Sequence, residues 1–163
     1  MPAACRHPGH TDFNLADRLA IINLISTYAE PYDNNNIDQW FELFTDDPKV
    51  MGYMGANEPF SVSGQAFKDF FRGFLASSID EAGIIPRHLV SNVRIREQAA
   101  DQAEASAYVT YIPLHKEILP TPRTKEQTRI TGTALYTFQV EKGQQDGAWR
   151  IREYTVRYDQ GEV

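Results

Sequence analysis

The first half of the chain carries apolar residues at helical spacing. From residue 14 to residue 32 they recur every three or four positions, which predicts an amphipathic helix. Its core stripe is Leu15, Leu19, Ile22, Ile25 and Ala29, widened by Ile21, Leu24, Tyr28 and Tyr32. Pro31 removes an amide donor near the end, so we expect the last turn to be kinked before the Asn34–Asn36 break.

Two shorter helices are predicted after this one. The second covers residues 37–44, with Asn36 as its cap and Trp40, Phe41, Leu43 and Phe44 as its buried side. A turn at residues 46–48 and a strand over residues 49–53 follow. Ser63 can cap a third helix, whose aromatic stripe we interpret as core rather than as a cofactor contact: Phe67, Phe70, Phe71 and Phe74.

From residue 88 onward the hydrophobic period changes to two. Four long strands are predicted over residues 88–97, 103–118, 129–141 and 149–158. Because they are consecutive, antiparallel pairing is the simplest arrangement. Helices followed by a sheet indicate an α+β fold, in which the helices cover one face of a curved sheet.

Composition indicates one domain and argues against nucleic acid and a membrane as partners. The 163 residues are 42% hydrophobic, and 16 Lys and Arg against 22 Asp and Glu give a net charge of −6. We expect a flexible arm over residues 1–11 and a single domain over residues 12–163. The negative charge argues against nucleic acid, and no apolar run approaches the roughly 20 residues of a membrane span. The lone Cys5 and the lack of a signal-peptide pattern suit the cytoplasm.

Motifs for nucleotide, zinc and serine-nucleophile chemistry are missing from the sequence. There is no glycine-rich phosphate loop, no paired CxxC, no HExxH and no GxSxG. His7 and His10 are closely spaced, but they lie beside Pro8 and Gly9 in the arm, which favours disorder over a metal site. We therefore expect neither a cofactor nor a metal.

Polar residues occur where the pattern predicts buried positions. On a helical wheel Asp33 falls on the flank of the apolar arc, so it faces the interior or its rim, unless it merely caps the turn that follows. His88 and His115 lie inside strand patterns, on faces that mix apolar and hydrogen-bonding groups. Each histidine could also be a satisfied structural residue. With the tyrosines Tyr28, Tyr32, Tyr53 and Tyr111, however, these residues form a coherent set.

The chemistry of this set is acid–base chemistry. A histidine exchanges protons near neutral pH, and a carboxylate on its other nitrogen fixes the tautomer and stabilises the imidazolium. No nucleophile stands out beside them. The suited reactions are proton abstraction next to a carbonyl, elimination of water, isomerisation and aldol-type ring closure. Tyrosine hydroxyls can hold the developing enolate.

Several segments together resemble a known family. They are YAEPYDNNNIDQWFELFTDD, PRHLVSNVRI, YIPLHKE and GAWRIREYTVRY. Their order resembles the SnoaL-like branch of the nuclear transport factor 2-like superfamily, most closely its scytalone dehydratase-like and bile acid dehydratase-like members, over roughly residues 12–158. The resemblance implies a cone-shaped α+β barrel with three N-terminal helices packed in a curved, mostly antiparallel sheet, around an apolar pocket.

The resemblance also implies roles for single residues. Asp33 and His88 match a catalytic pair, Tyr53 a tyrosine that holds the substrate oxygen, and His115 a second pocket histidine. Tyr28 and Tyr32 match residues that line the pocket, and Tyr111 joins them as a substrate-binding candidate from its strand face. Thr131 and Thr133 stand where scytalone dehydratase has Ser and Asn, which puts scytalone itself in doubt as the substrate.

Two functions of different class follow. The first is a dehydratase, cyclase or isomerase that acts on a small hydrophobic hydroxy-carbonyl compound of polyketide-, aromatic- or steroid-like character. The second is a non-catalytic small subunit of an aromatic-ring-hydroxylating dioxygenase, because RHLVSNVRI resembles the corresponding segment of such subunits, or else a ligand-binding member. Apolar bulk on both faces of the last strand, at Trp149, Ile151 and Tyr154, predicts a homo-oligomer, either a dimer or a trimer.

Overall fold

The first predicted helix is divided in two. The computed structural model describes residues 14–53, 59–115 and 132–159. In it, α1 spans Leu15–Thr27 and α2 spans Glu30–Asp33. The Asn14 side chain caps α1 by accepting the backbone N–H of Asp17 at 3.1 Å. Pro31 lies in the first turn of α2, where its missing N–H needs no partner. The predicted kink is therefore a break before Pro31 rather than a bend after it.

The buried face of α1 differs from the predicted stripe. Leu15 and Leu19 are 68% and 59% exposed, whereas Ile21 and Ile25 are fully buried. The buried line runs through Asp17, Ile21 and Ile25 at i, i+4 spacing. The prediction that Leu15 and Leu19 belong to the core is wrong, because the helix turns the side that carries Asp17 toward the sheet.

The second helix is shorter than predicted, and a strand takes its place. The helix α3 spans Ile37–Phe41, and Asn36 caps it as expected. Strand β1 then covers Phe44–Tyr53 and includes the predicted turn at residues 46–48. Pairing with the neighbouring strand β6 shifts register between Phe44 and Lys49. Pro48 lies inside that irregularity, where a residue without an N–H is tolerated in a strand.

The third helix follows a short strand. Strand β2 spans Phe60–Ser63 and α4 spans Gly64–Ala76, followed by a π-helical turn over Ser77–Glu81. Ser63 is the N-cap residue of α4, although its side chain makes no capping hydrogen bond. No helix in the described part of the chain is long and apolar enough to cross a membrane.

Four long strands complete the sheet close to the predicted positions: β3 (Ile84–Gln98), β4 (Gln102–His115), β5 (Gly132–Lys142) and β6 (Trp149–Tyr158). They pair antiparallel in chain order, as predicted. Strand β1 pairs parallel with β6, which makes a six-stranded mixed sheet of order β2-β1-β6-β5-β4-β3. The sheet stays open, and the helices pack against it. The predicted α+β fold class is confirmed.

The core lies between the helices and the inner face of the sheet. Strand alternation gives that face small residues on β4 and larger ones on β5 and β6. Its buried members include Ala105, Ala107, Val109, Ala134, Tyr136, Phe138, Val140, Ile151, Tyr154 and Val156. From the helices, Ile21, Ile25, Trp40 and Phe67 pack into the same cluster.

Asp17 ties α1 to the sheet. Its Oδ1 accepts hydrogen bonds from Lys142 Nζ at 2.7 Å and from Trp149 Nε1 at 2.9 Å. The bonds from Lys142 and Trp149 hold the pKa of the Asp17 carboxyl below its usual range. Because the folded pKa is depressed, this contribution is present above the unfolded pKa and is lost as the pH falls through the folded pKa.

We expect Asp17→Asn to lower the free energy of unfolding at neutral pH, and the difference from the wild type to shrink as the pH falls below about 4. Urea unfolding of both proteins between pH 3 and pH 7 measures this. Asp69→Asn, which changes an exposed carboxylate on α4, is the matched control. A difference that stays constant across this range would contradict the assignment.

Candidate functional site

The end of α2 lies against β3 at one residue pair. Asp33 is only 7% exposed. Its Oδ2 accepts the backbone N–H of His88 at 2.7 Å, and its Oδ1 lies 2.6 Å from His88 Nδ1. The Asp33 carboxylate therefore binds His88 and is not used to cap the turn after α2.

This contact fixes the state of the imidazole. An ionised carboxylate only accepts hydrogen bonds, so Nδ1 of His88 carries the proton in the contact. Nε2, on the far side of the ring, is then the nitrogen that can take a proton. The His88 side chain is mostly buried and lines a cavity.

Arg87 fixes the position of Asp33 from the other side. Its Nη1 donates to the backbone carbonyl of Asp33 at 2.6 Å and to that of Pro86 at 2.9 Å. The last carbonyls of a helix lack partners within the helix, so this bond satisfies one of them. Two consecutive residues of β3 thus hold both the backbone and the side chain of Asp33.

The cavity has a volume of about 270 Å³ and lies between the helices and the inner face of the sheet. This is slightly below the roughly 300–1,000 Å³ typical of small-molecule sites. Its wall is mainly apolar and aromatic, and it includes Trp40, Val50, Phe60, Phe70, Phe71, Phe74, Pro86, Val109, Ala134 and Val156. Such a space suits a compact hydrophobic molecule.

Tyr28, Tyr32 and Tyr111 line the cavity together with His88. The ring centroid of Tyr32 lies 6.0 Å from that of His88, and the centroid of Tyr111 lies 5.2 Å from it. Hydroxyl-bearing rings thus stand on two sides of the imidazole. Sequence reasoning missed Tyr136, Tyr154 and Tyr158, which line the same cavity. For Tyr154 and Tyr158 the available signal was the period-two spacing of residues 154, 156 and 158 along β6, and for Tyr136 that of residues 132, 134 and 136 along β5.

Burial makes these tyrosines neutral donors. It raises the pKa of Tyr28, Tyr32, Tyr111, Tyr136, Tyr154 and Tyr158 above that of a free phenol. They keep their hydroxyl protons at physiological pH. Their chemistry is therefore donation to a ligand oxygen rather than removal of a proton.

Tyr53 does not line the cavity, which argues against the role predicted for it. Along β1, Val50 lines the cavity and alternate residues share a face, so Tyr53 lies on the opposite face with its cross-strand partner Arg157. The Arg157 guanidinium sits 5.3 Å from the Tyr53 ring centre. Tyr53 is therefore not among the described residues that line the cavity.

The remaining predicted residues are less central. Thr133 lies at the rim, where its hydroxyl donates to Asp159 Oδ2 at 2.7 Å. The backbone of His115 ends β4 opposite Ile84, and its side chain lies outside the described part of the structure. Thr131, like His7 and His10 in the N-terminal arm, lies outside the described residues.

The aromatic stripe of α4 is only partly core, which corrects the prediction. Phe67 is fully buried, but Phe70 and Phe74 are 39% and 55% exposed and line the cavity. Phe60 stacks on Phe70 at 5.6 Å. The Phe60 ring also covers Gly52, where any added side chain would collide with it. The helix α4 crosses the boundary between core and cavity, so residues of the same aromatic stripe pack in the core at one end and line the cavity at the other.

Among residues 14–53, 59–115 and 132–159, no group of three or more His, Cys, Asp or Glu side chains is placed to hold a metal ion. The polar side chains that line the cavity there are the His88 imidazole, the tyrosine phenols and the hydroxyls of Ser78 and Thr133. This donor set is suited to proton exchange and hydrogen bonding.

Comparisons with known proteins agree on the fold. The family model described as a SnoaL-like domain matches residues 14–155. A proposed scytalone dehydratase from Novosphingobium aromaticivorans is 22% identical, with 93% of this chain and 89% of that chain covered and a TM-score of 0.66. The beta subunit of a proposed aromatic-ring-hydroxylating dioxygenase from the same organism is 20% identical, with 91% and 93% covered and a TM-score of 0.65.

A third similar structure is ActVI-ORFA from Streptomyces coelicolor, at 13% identity, with 88% of this chain and 98% of that chain covered and a TM-score of 0.69. The comparison with curated protein sequences gives no significant match. At these identities the solved structures show a shared fold.

The contact between Asp33 and His88 predicts the tautomer of the imidazole. Neutral His88 should carry its proton on Nδ1, and Asp33→Asn should shift the ring toward the Nε2–H form because the amide no longer demands a donor. Long-range ¹H–¹⁵N NMR of the histidine rings measures this. His88→Gln assigns the signal by its loss, and an Nε2–H tautomer in the wild type would refute the contact.

Proposed function

The chain belongs to the SnoaL-like domain family, and we propose that it is a cofactor-independent acid–base enzyme that dehydrates, isomerises or cyclises a small hydrophobic hydroxy-carbonyl compound. The observation that carries the proposal is the Asp33–His88 pair, joined at 2.6 Å, on the wall of an apolar cavity. A histidine that a carboxylate orients beside a substrate cavity is suited to acid–base catalysis.

Dehydration illustrates how the pair works. Nε2 of His88 removes the proton from the carbon next to the substrate carbonyl, the electrons of that C–H bond form the C=C bond of the enolate, and the carbonyl π electrons move to the oxygen. Asp33 stabilises the imidazolium that forms. The enolate then re-forms the carbonyl and expels the β-hydroxyl, which takes the proton back from His88. The products are an enone and water, and His88 returns to its starting state.

The tyrosines supply the second requirement, which is stabilisation of the enolate. They are neutral phenols, as their raised pKa values require. Preorganised O–H donors in a site that excludes water stabilise negative charge that develops on oxygen. Isomerisation and ring closure pass through the same enolate and would use the same groups.

The cavity wall limits the substrate. Aromatic side chains from β2, α3 and α4 surround the space, and no Lys or Arg is among the described residues that line it. A compact, uncharged ring system fits such a wall better than a sugar or a nucleotide. The cavity volume favours one or two fused rings over a full steroid.

The second candidate function is that of a small subunit of a ring-hydroxylating dioxygenase. The observation that favours it is the likeness to such a beta subunit over 91% of this chain. That role does not require a buried Asp–His pair or a cavity. Stable co-purification of a Rieske-type large subunit with the protein would favour it over the enzyme.

Self-association remains part of the proposal. Leu89 and Tyr108 are exposed apolar side chains on the outer sheet face, on neighbouring strands β3 and β4. Exposed apolar area of this kind is typical of interfaces. We expect a dimer or trimer, which light scattering coupled to size exclusion would measure.

Turnover of a panel of cyclic β-hydroxy ketones tests the enzyme. Enone formation is followed by ultraviolet absorbance. We expect His88→Gln to lower kcat about 10²- to 10⁴-fold, the range for loss of a general acid–base group. Asp33→Asn should also lower kcat strongly, because it removes the charge that stabilises the imidazolium while keeping an acceptor for the backbone N–H of His88.

Asp69→Asn is the matched control for Asp33→Asn, because Asp69 is an exposed carboxylate on α4 that does not line the cavity. It should leave kcat unchanged. If His88→Gln turns over every responsive substrate as fast as the wild type, the pair has no catalytic role. Circular dichroism of each variant establishes that it is folded.

A further inference from the structure

The ring of Phe60 occupies the space that a side chain on Gly52 would take. The two residues are paired directly across strands β1 and β2. A Cβ atom on Gly52 would overlap the Phe60 ring, so the ring lies against the backbone of β1. Gly52 is a buried strand position, and glycine is needed there for this close approach. Val50, two residues earlier on the same face, lines the cavity itself, and beyond it Phe60 forms the wall.

Phe60 and His88 stand at opposite edges of the sheet. Phe60 belongs to β2 and His88 to β3, the first and last strands of the order β2-β1-β6-β5-β4-β3. Every strand of this sheet contributes at least one residue to the cavity lining. The cavity therefore extends across the whole inner face, and Phe60 closes the end that is farthest from the imidazole in strand order.

A continuous row of aromatic rings from the helices connects these two ends. Between ring centres, Tyr32 lies 6.0 Å from His88 and 6.2 Å from Phe71. Phe71 lies 5.1 Å from Phe70, and Phe70 lies 5.6 Å from Phe60. The rings of Phe70 and Phe60 are inclined by only 28°, so they stack. Phe60 is thus held by the β1 backbone on one side and by an aromatic ring of α4 on another.

These two contacts make the Phe60 ring a fixed boundary. The ring cannot move closer to β1, because it already fills the space above Gly52. Movement in the other direction would break the stacking on Phe70. Close-packed side chains resist displacement by even one methylene group. A molecule that starts at His88 and is too long for the cavity would therefore have to displace this ring.

We propose that Phe60, packed on Gly52, is the specificity-determining residue that limits the length of the substrate. The inference rests on the proposed function, which places the reacting carbon of the substrate at Nε2 of His88. The other end of the molecule then extends toward β2 and meets the Phe60 ring. Two fused rings end in an aromatic contact with Phe60, whereas a third fused ring overlaps it. The substrate class is thus a flat ketone of at most two fused rings.

Equilibrium dialysis with two matched ketones tests this without any turnover. The probes are 1-tetralone, which has two fused rings, and a dihydrophenanthrenone, its three-ring homologue. The wild type should bind 1-tetralone at least about 10-fold more tightly, the lower end of the discrimination that an apolar pocket achieves between homologues. Phe60→Ala should bind the three-ring ketone more tightly than the wild type does and 1-tetralone more weakly, so the preference is abolished or reversed. Phe60→Leu, which keeps a shorter apolar side chain, should shift the preference in the same direction by less.

Gly52→Ala tests the packing of the ring on β1. In the wild-type background the added methyl group collides with Phe60 and should lower the midpoint of thermal unfolding. In the Phe60→Ala background the same methyl group has room, so the loss should be much smaller. Because residues in contact give non-additive effects, the difference between the two losses reports the contact directly. Equal losses in the two backgrounds would refute the packing of Phe60 on Gly52.

Leu19→Ala is the control, because it removes an exposed apolar side chain that does not line the cavity. It should bind both ketones as the wild type does. The inference is overturned if the wild type binds neither ketone, if it does not distinguish them, or if Phe60→Ala weakens both by the same factor. His88→Gln should keep the size preference, since the imidazole lies at the other end of the cavity. Size selection without any turnover would refute the proposed function alone, and turnover without size selection would refute only the role of Phe60.

Discussion

The placement of the Asp33 carboxylate is the constraint on which the rest of the site depends. A carboxylate that is 7% exposed must find hydrogen-bond donors, because burial without them is costly. It finds two in His88, and Arg87 holds its backbone. These contacts fasten α2 to β3, orient the imidazole and direct Nε2 away from the carboxylate. One buried charge thus sets local structure and reactivity together.

The cavity exists because the side chains of the sheet and of the helices do not fill the space between them. Small residues on β4, with Gly132 and Ala134 at the start of β5, leave room over the inner face, and aromatic side chains from α4 and β2 close the sides rather than filling the centre. Among the described residues, the polar side chains of its wall are the imidazole, the phenols and the hydroxyls of Ser78 and Thr133. Water is a poor competitor in such a space, so a hydrogen bond from a neutral tyrosine counts for more than it would at the surface.

Much of this arrangement could be predicted from the sequence, and the failures have physical causes. Period-two patterns located β3 to β6, and Asn36 was recognisable as a cap. The buried face of α1 could not be recognised in the same way, because Leu15 and Leu19 are as apolar as Ile21 and Ile25. Periodicity alone cannot choose between two adjacent apolar stripes of a helix. The role of Tyr53 was inferred from the family resemblance, which does not show which face of β1 a residue of this chain occupies. The irregularity between Phe44 and Lys49 sets that face. The parallel pairing of β1 with β6 has no local signal in the sequence, so this part of the topology could only come from the folded sheet.

The central claim is that His88, held by Asp33, removes a proton from carbon next to a carbonyl. The most direct measurement is exchange of the α-protons of a bicyclic aromatic ketone, such as 1-tetralone, in D₂O, followed by ¹H NMR. The account predicts that the wild type accelerates the exchange and that His88→Gln abolishes the acceleration. Equal exchange rates with the two proteins, or no acceleration by either, would contradict it.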